Sequence, residues 1–237
     1  MHEQIELQIR TQPDDISCGP TCLHAIYRYY GDSIPLEEVI DETGSLEDGG
    51  TLAVVLANHA LRRGYRAKIF SFNVQVFDPT WMHLTPEQIS EKLLQQSQAK
   101  SDPKLQFACK AYREFLHLGG ILHFHELDSN LIRHYLKKSV PILTGLSSTY
   151  LYESRREIPD TNQEDDVVGE PAGHFVVLSG YDKESKKVSI ADPHATNPLA
   201  VSKYYQVSIA RLINSILLGI WTYDANLLVI QPAAVKI

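Results

Sequence analysis

Cysteine is scarce in this chain: three in 237 residues. They cannot all pair with one another, and Cys18 and Cys22 stand one helical turn apart. A disulfide scaffold is therefore a poor reading, and a reducing compartment is the better one. Positive charge is in deficit too. Against 29 Asp and Glu there are 22 Lys and Arg, a net charge of −7. That balance offers neither the basic face of a nucleic-acid surface nor attraction to an anionic membrane. Long apolar runs are missing as well. The best candidate, residues 212–220, is short and broken by Asn214, Ser215 and Gly219, so no membrane span is expected. The opening Met1-His2-Glu3-Gln4-Ile5-Glu6 has neither a basic n-region nor an apolar h-region, and no secretory signal is read there. No internal repeat is visible, and the Gln-rich stretch within residues 74–118 is too brief for low complexity. These absences together predict a soluble, cytoplasmic protein without a nucleic-acid partner.

A hydrophobic fraction of 43% and a charged fraction of 22% suit an ordinary globular protein with one sizeable core, read here as a single domain over residues 1–237. The alternation Ile5-Glu6-Leu7-Gln8-Ile9 predicts a short edge strand delivering Gln12. Residues 34–40 read as a short helix. Asp48-Gly49-Gly50-Thr51 reads as a turn and N-cap for a helix over residues 52–63 closed by Gly64, and residues 66–72 are strand-like. Residues 74–118 differ in character. Thr85-Pro86-Glu87-Gln88 is a capped helix start, a second helix spans residues 103–118, and the pair reads as a helical insertion. Further on, residues 121–127 and 140–144 read as strands around a helix capped by Asp128-Ser129-Asn130. Residues 153–170 are polar, acidic and without period, a flap loop expected to control access and to carry negative charge. Strands follow at residues 173–182 and 187–194, and one or two more between residues 221 and 230. Helices first and an antiparallel sheet after them give an α+β class.

The chain is organised around Gln12-Pro13-Asp14-Asp15-Ile16-Ser17-Cys18-Gly19-Pro20-Thr21-Cys22. Gly19-Pro20 reads as a tight turn with proline at the first helical position. Cys22, Leu23, Ile26, Tyr27 and Tyr30 recur at helical spacing, and Gly31 is a C′ stop. Cys18 is thus expected at a helix mouth, where the positive end of the helix dipole favours a thiolate, the nucleophilic form. Gln12 upstream carries an amide able to donate to a developing oxyanion. A free buried cysteine is more often a small apolar packing residue, and Cys18 taken alone fits that description equally well.

What changes the balance lies further along. A thiol nucleophile needs an imidazole to take its proton and a group that orients the imidazole. His174 starts one strand of the second half and Asp192 ends the next, so a hairpin brings them to one end of the sheet. Taken singly, a strand-end histidine bonding backbone and an Asp-Pro turn are the commoner accounts. The order Gln12, Cys18, His174, Asp192 makes the catalytic account the more economical one. His194 stands near Asp192 as a rival base. Cys22 is read as core. Cys18 with Cys22, or His123 with His125, would each make only half a metal site, and no metal or cofactor is expected. Tyr27, Tyr29 and Tyr30 are read as core and rim.

Gln12, Cys18-Gly19-Pro20-Thr21-Cys22, Gly173-His174-Phe175-Val176-Val177-Leu178 and Asp192-Pro193 together resemble the papain-like cysteine peptidases that process bacteriocin leader peptides at a double-glycine site, and within them the free-standing "like" branch. Ser17 stands where exporter-linked members usually carry an acidic residue. The resemblance implies a papain-like fold with N-terminal helices packed on a C-terminal antiparallel sheet. It implies Cys18 as nucleophile, His174 as base, Asp192 as its orienter and Gln12 as oxyanion donor, acting on a peptide or small amide substrate without a cofactor. Acyl transfer by a transpeptidase or deamidase of the same fold, and a catalytically inactive peptide-binding module, are the alternatives.

Overall fold

The first helix shows how the sequence places its chemistry. The computed structural model describes residues 2–44, 50–159, 161 and 163–233. In it α1 (Cys18–Tyr29) buries Cys22, Leu23, Ile26 and Tyr27 completely, the helical spacing of its apolar stripe turned inward. Gly31 ends it with φ +82, and its N–H donates to the Arg28 carbonyl at 3.1 Å. The start differs from expectation. Cys18 is itself the first helical residue, with Ser17 as N-cap, so Pro20 falls at the third position. A proline is tolerated there because the first-turn N–H groups lack intrahelical acceptors anyway. Gly19 is therefore a helical residue and not a turn.

Helices α2 (Leu36–Thr43) and α3 (Ala53–Arg62) follow near their expected places, and Gly64 closes α3 at φ +84. The expected cap of α3 is corrected. Asp48 and Gly49 lie outside the described residues, and Thr51 makes no cap. The Ala53 N–H instead donates to Oδ1 of Asp224 at 3.2 Å, 171 residues away. A buried helix end needs its orphan donors met, and here tertiary structure meets one of them.

Strand order explains the rest. β1 is His2–Gln4 and β2 is Tyr65–Ser71. The helical hairpin α4 (Pro86–Ala99) and α5 (Pro103–His117), preceded by a 3-10 turn at Pro79–His83, leads into β3 (Ile121–His123). Thr85 and Gln88 form the reciprocal capping box read from the sequence. β2 and β3 run parallel, a geometry that demands a long crossover, and the α4–α5 hairpin is that crossover. After α6 (Ser129–Leu136) come β4 (Ile142–Ser147) and α7 (Ser148–Tyr152), then the short pair β5 (Glu157–Ile158) and β6 (Gln163–Glu164). The chain continues through β7 (Gly173–Asp182), β8 (Lys187–Ala191), β9 (Tyr204–Ser208), α8 (Ile209–Leu218) and β10 (Asn226–Pro232).

Among the described residues the main sheet has eight strands in the order β3-β2-β10-β4-β7-β8-β9, with β1 added to β7, and every pair but β2–β3 is antiparallel. The class is α+β as expected, but the segregation is less strict. β1 and β2 come from the helical half, and α6, α7 and α8 lie among the later strands. Three local readings are corrected. The strand expected over residues 5–9 sits earlier, at β1; Ile5, Leu7 and Ile9 keep their alternating burial while only the Ile5 N–H still reaches the β7 line, at Ser179 O. Only Ile121–His123 of residues 121–127 joins the ladder. The segment read as periodless, 153–170, contains the β5–β6 pair. No helix among the described residues is long and apolar enough to cross a membrane.

Candidate active site

β7 is buried from His174 to Tyr181, and α1 packs against it. A Cβ added to Gly19 would lie 2.7 Å from Thr51 Cγ2 and 3.2 Å from a ring carbon of Phe175. Only a residue without a side chain lets the first turn of α1 approach β7 this closely. One turn on, the Cys22 thiol donates to the Phe175 carbonyl at 3.3 Å. These two contacts fix the helix mouth, with the buried Cys18, beside the start of β7.

β7 and β8 supply the other two groups. Their register pairs Val177 with Ala191. Continued by one residue, it sets Asp192 across from Val176, so the Asp192 and His174 side chains leave the same face in a diagonal pair. His174 Nε2 and Asp192 Oδ1 are 2.8 Å apart, and Cys18 lies near enough to the same ring to favour its protonation. With Nε2 engaged by the carboxylate, Nδ1 is the ring atom left for the thiol. Burial alone would push the imidazole toward its neutral form. The Asp192 charge, the hydrogen bond to it and the neighbouring Cys18 outweigh that and raise its proton affinity above the usual value.

Asp192 has no solvent exposure and is fully hydrogen-bonded. Besides His174, Oδ1 accepts the His194 backbone N–H at 2.9 Å. Oδ2 accepts the hydroxyls of Tyr152 at 2.7 Å and Tyr205 at 2.6 Å. Burial would raise the carboxyl's proton affinity, but the imidazole charge and these donors hold it below the ordinary carboxylate range. The sequence reading missed both tyrosines. Tyr205 had a signal in the alternation Tyr205-Gln206-Val207, whose Tyr205 and Val207 are buried. Tyr152 had none.

The structure brings Cys18, His174 and Asp192 together. Gln12 is joined through its backbone: its N–H donates to the Pro193 carbonyl at 3.0 Å. Its side-chain Nε2 donates to the Asp14 carbonyl at 2.8 Å, while Oε1 is buried without a partner. His194, the rival base, lies beside the site with its ring centroid 5.8 Å from that of His174, but its Nδ1 accepts the Thr196 N–H at 3.2 Å. Burial and the His174 charge lower its proton affinity. Cys22 is a core thiol, pushed up by burial and by its neighbours Cys18 and Asp192. His123 stacks on Phe70 at 4.9 Å and, with His125 and His134, lines a separate cleft between β3 and α6. Among the described residues no group of three or more His, Cys, Asp or Glu is arranged to hold a metal. Tyr27, Tyr29 and Tyr30 bond His59, the Ser139 carbonyl and the Ile230 carbonyl, as core and rim residues would. In the 153–170 segment Glu157 is partly buried, and burial, Glu164 and Asp15 raise its proton affinity.

A thiol at a helix mouth, an imidazole and a buried carboxylate are the groups that thiol-dependent acyl chemistry requires. Residues 108–222 match the family described as Peptidase_C39 like, a span that holds His174 and Asp192. No curated protein matches the chain. Among solved structures, the chain is similar to a double glycine motif protease from an AMS/PCAT transporter in complex with the leader peptide, at 14% identity and a TM-score of 0.46 over 98% of this chain and 95% of that one. It is also similar to the peptidase domain of Streptococcus ComA, a bifunctional ABC transporter involved in a quorum sensing pathway, at 11% identity and 0.45 over 96% and 100%. A protein from Bacillus anthracis described as a C39-like peptidase gives 13% identity and 0.49 over 98% of each chain.

Proposed function

We propose that the protein is a cysteine peptidase that hydrolyses a peptide or amide bond with Cys18 as nucleophile, His174 as base and acid, and Asp192 as the group that orients His174. One observation carries the reading: a single imidazole is bonded through Nε2 to a buried carboxylate at 2.8 Å, at the start of the strand against which the helix mouth carrying Cys18 is packed. Asp192 fixes the tautomer, so the thiol proton passes to Nδ1. The sulfur then attacks the carbonyl carbon, the C–N bond breaks, and His174 returns the proton to the leaving amine. Water, deprotonated by the same imidazole, attacks the thioester, and the acid leaves as the thiol is restored.

Stabilisation of the tetrahedral oxyanion is assigned to the Cys18 backbone N–H, which has no intrahelical acceptor at the first helical position, and to the amide of Gln12. The tie from the Gln12 N–H to Pro193 supports this role, because it fastens the loop carrying Gln12 to the turn that carries Asp192. The C39-like family match favours a peptide as substrate. The test is a peptide-library digest comparing wild type with Cys18→Ala. Cleavage products are expected with the wild type and absent with the variant, the fold unchanged by circular dichroism. Identical digests from both would overturn the assignment.

A further inference from the structure

Resting on that reading, we propose that Tyr152 and Tyr205 are positioning residues that act through Asp192, together holding its carboxylate in the one orientation that serves His174. Their geometry is specific. Both hydroxyls converge on Oδ2, at 2.7 and 2.6 Å, while Oδ1 is left to His174 Nε2 and the His194 N–H. A carboxylate without solvent exposure would otherwise carry an unmet oxygen, and charge-assisted hydrogen bonds of this kind are about twice as strong as neutral ones. Neither Oδ2 donor belongs to the β7–β8 hairpin that brings His174 and Asp192 together. Tyr152 ends α7 and Tyr205 lies on β9, so the carboxylate is oriented by two independent elements.

The arrangement also gives Asp192 a hold on the 153–170 segment at both ends. Tyr152 immediately precedes that segment and bonds Oδ2. His174 follows it by a few residues and bonds Oδ1. Beside these ties the Ser148 N–H donates to the Ala172 carbonyl at 3.0 Å and the Ala172 N–H to Thr149 Oγ1 at 2.9 Å, closing the neck of the segment. The Tyr152 ring further lies 6.1 Å, centroid to centroid, from each of His174 and His194. It therefore walls the imidazole as well as bonding its orienter. Holding Oδ1 toward Nε2 is what lets the Asp192 charge keep a proton on His174.

The experiment uses the full chain as wild type, Tyr152→Phe, Tyr205→Phe and the double variant, each keeping its ring. The primary readout is the pH titration of the His174 imidazole by NMR, which needs no turnover. The His174 midpoint is expected to fall in each single variant and further in the double variant, by about one pH unit in all. With a cleavable peptide, each single variant is expected to lose about tenfold in kcat with KM nearly unchanged, as the loss of one hydrogen bond to a charged group implies. An unchanged His174 titration in the double variant would overturn the proposal, even if its melting temperature had dropped, since a purely structural role would lower stability alone. A wild type without peptidase activity would instead sink the functional reading, and the titration would still decide the role of the tyrosines.

Discussion

Asp192 and Asp224 are both almost wholly buried, yet burial has opposite outcomes for them. At Asp192 the desolvation cost is outweighed by an imidazole charge, its hydrogen bond and two phenols, and the carboxyl stays ionised below its ordinary range. At Asp224 burial dominates. The Ala53 N–H at 3.2 Å and the more distant Lys104 do not offset it, and the proton affinity is pushed up to about 7. The first aspartate is built to be an anion beside a cation. The second is a buried helix cap whose charged form is disfavoured by its surroundings. What separates them is the set of groups that face each oxygen.

The sharpest way to break this comparison is to neutralise each in turn. Asp192→Asn keeps the shape but removes the charge and presents an amide to His174 Nε2. Peptidase kcat/KM is expected to fall roughly 10³–10⁴-fold, as tautomer and orientation are lost. Asp224→Asn keeps an acceptor for the Ala53 N–H and should leave kcat/KM within about threefold, as befits a near-isosteric substitution away from the reacting atoms. Steady-state kinetics on one peptide substrate checks both, and equal losses would end the distinction.

Stability against pH separates the two next, with opposite signs. The folded proton affinity of Asp224 is raised from the ordinary 3.8 to about 7. Between those values the folded state binds more protons than the unfolded one, so its contribution is fully present below about pH 4 and is lost as pH rises through 7. An upper figure for that loss is on the order of 4 kcal/mol. Asp192 is depressed instead, so its contribution is present above the unfolded value and lost as pH falls through the folded one. Urea unfolding at pH 5 and pH 8 is expected to show that Asp224→Asn is less sensitive to the rise in pH than wild type. Parallel behaviour of the two proteins would contradict the account of Asp224.

The same contrast between site and scaffold applies to the thiols. Cys22→Ala and Cys109→Ala are expected to retain activity while losing about 1–2 kcal/mol of stability, read from urea midpoints. Cys22 gives up its contact with the Phe175 carbonyl and Cys109 its contact with Gln96. A smaller effect is expected at the rim, where Glu157 faces Glu164 and Asp15. Glu157→Gln should slow cleavage of a lysine-rich peptide only about twofold at low salt, and the difference should vanish at high salt as screening removes it. A salt-independent difference would take the segment's charge out of the account.

How much of this was legible in the sequence follows from how far apart the partners lie. Cys18, His174 and Asp192 could be read because each stands at the end of an element whose periodicity is local: a helix start, a strand start and a strand end. The Thr85–Gln88 capping box and the Gly31 stop were readable for the same reason. Tyr152 and Tyr205 meet Asp192 across 40 and 13 residues, and Asp224 caps α3 across 171. No local pattern encodes such pairings; they exist only once the sheet is assembled. The start of α1 was misjudged by two residues because Gly19-Pro20 also fits a turn, and close packing against Phe175, invisible in sequence, decides for helix. β9 and α8 were missed although Tyr205 and Val207 alternate and Leu212 and Ile216 keep helical spacing.

Whether His174 activates Cys18 is read out by labelling with an electrophilic peptide followed by mass spectrometry. A single adduct is expected on Cys18 at neutral pH, formed at least about tenfold more slowly in His174→Ala and at an unchanged rate in Cys22→Ala. Equal labelling rates in wild type and His174→Ala, or an adduct on Cys22 or Cys109 in place of Cys18, would contradict it.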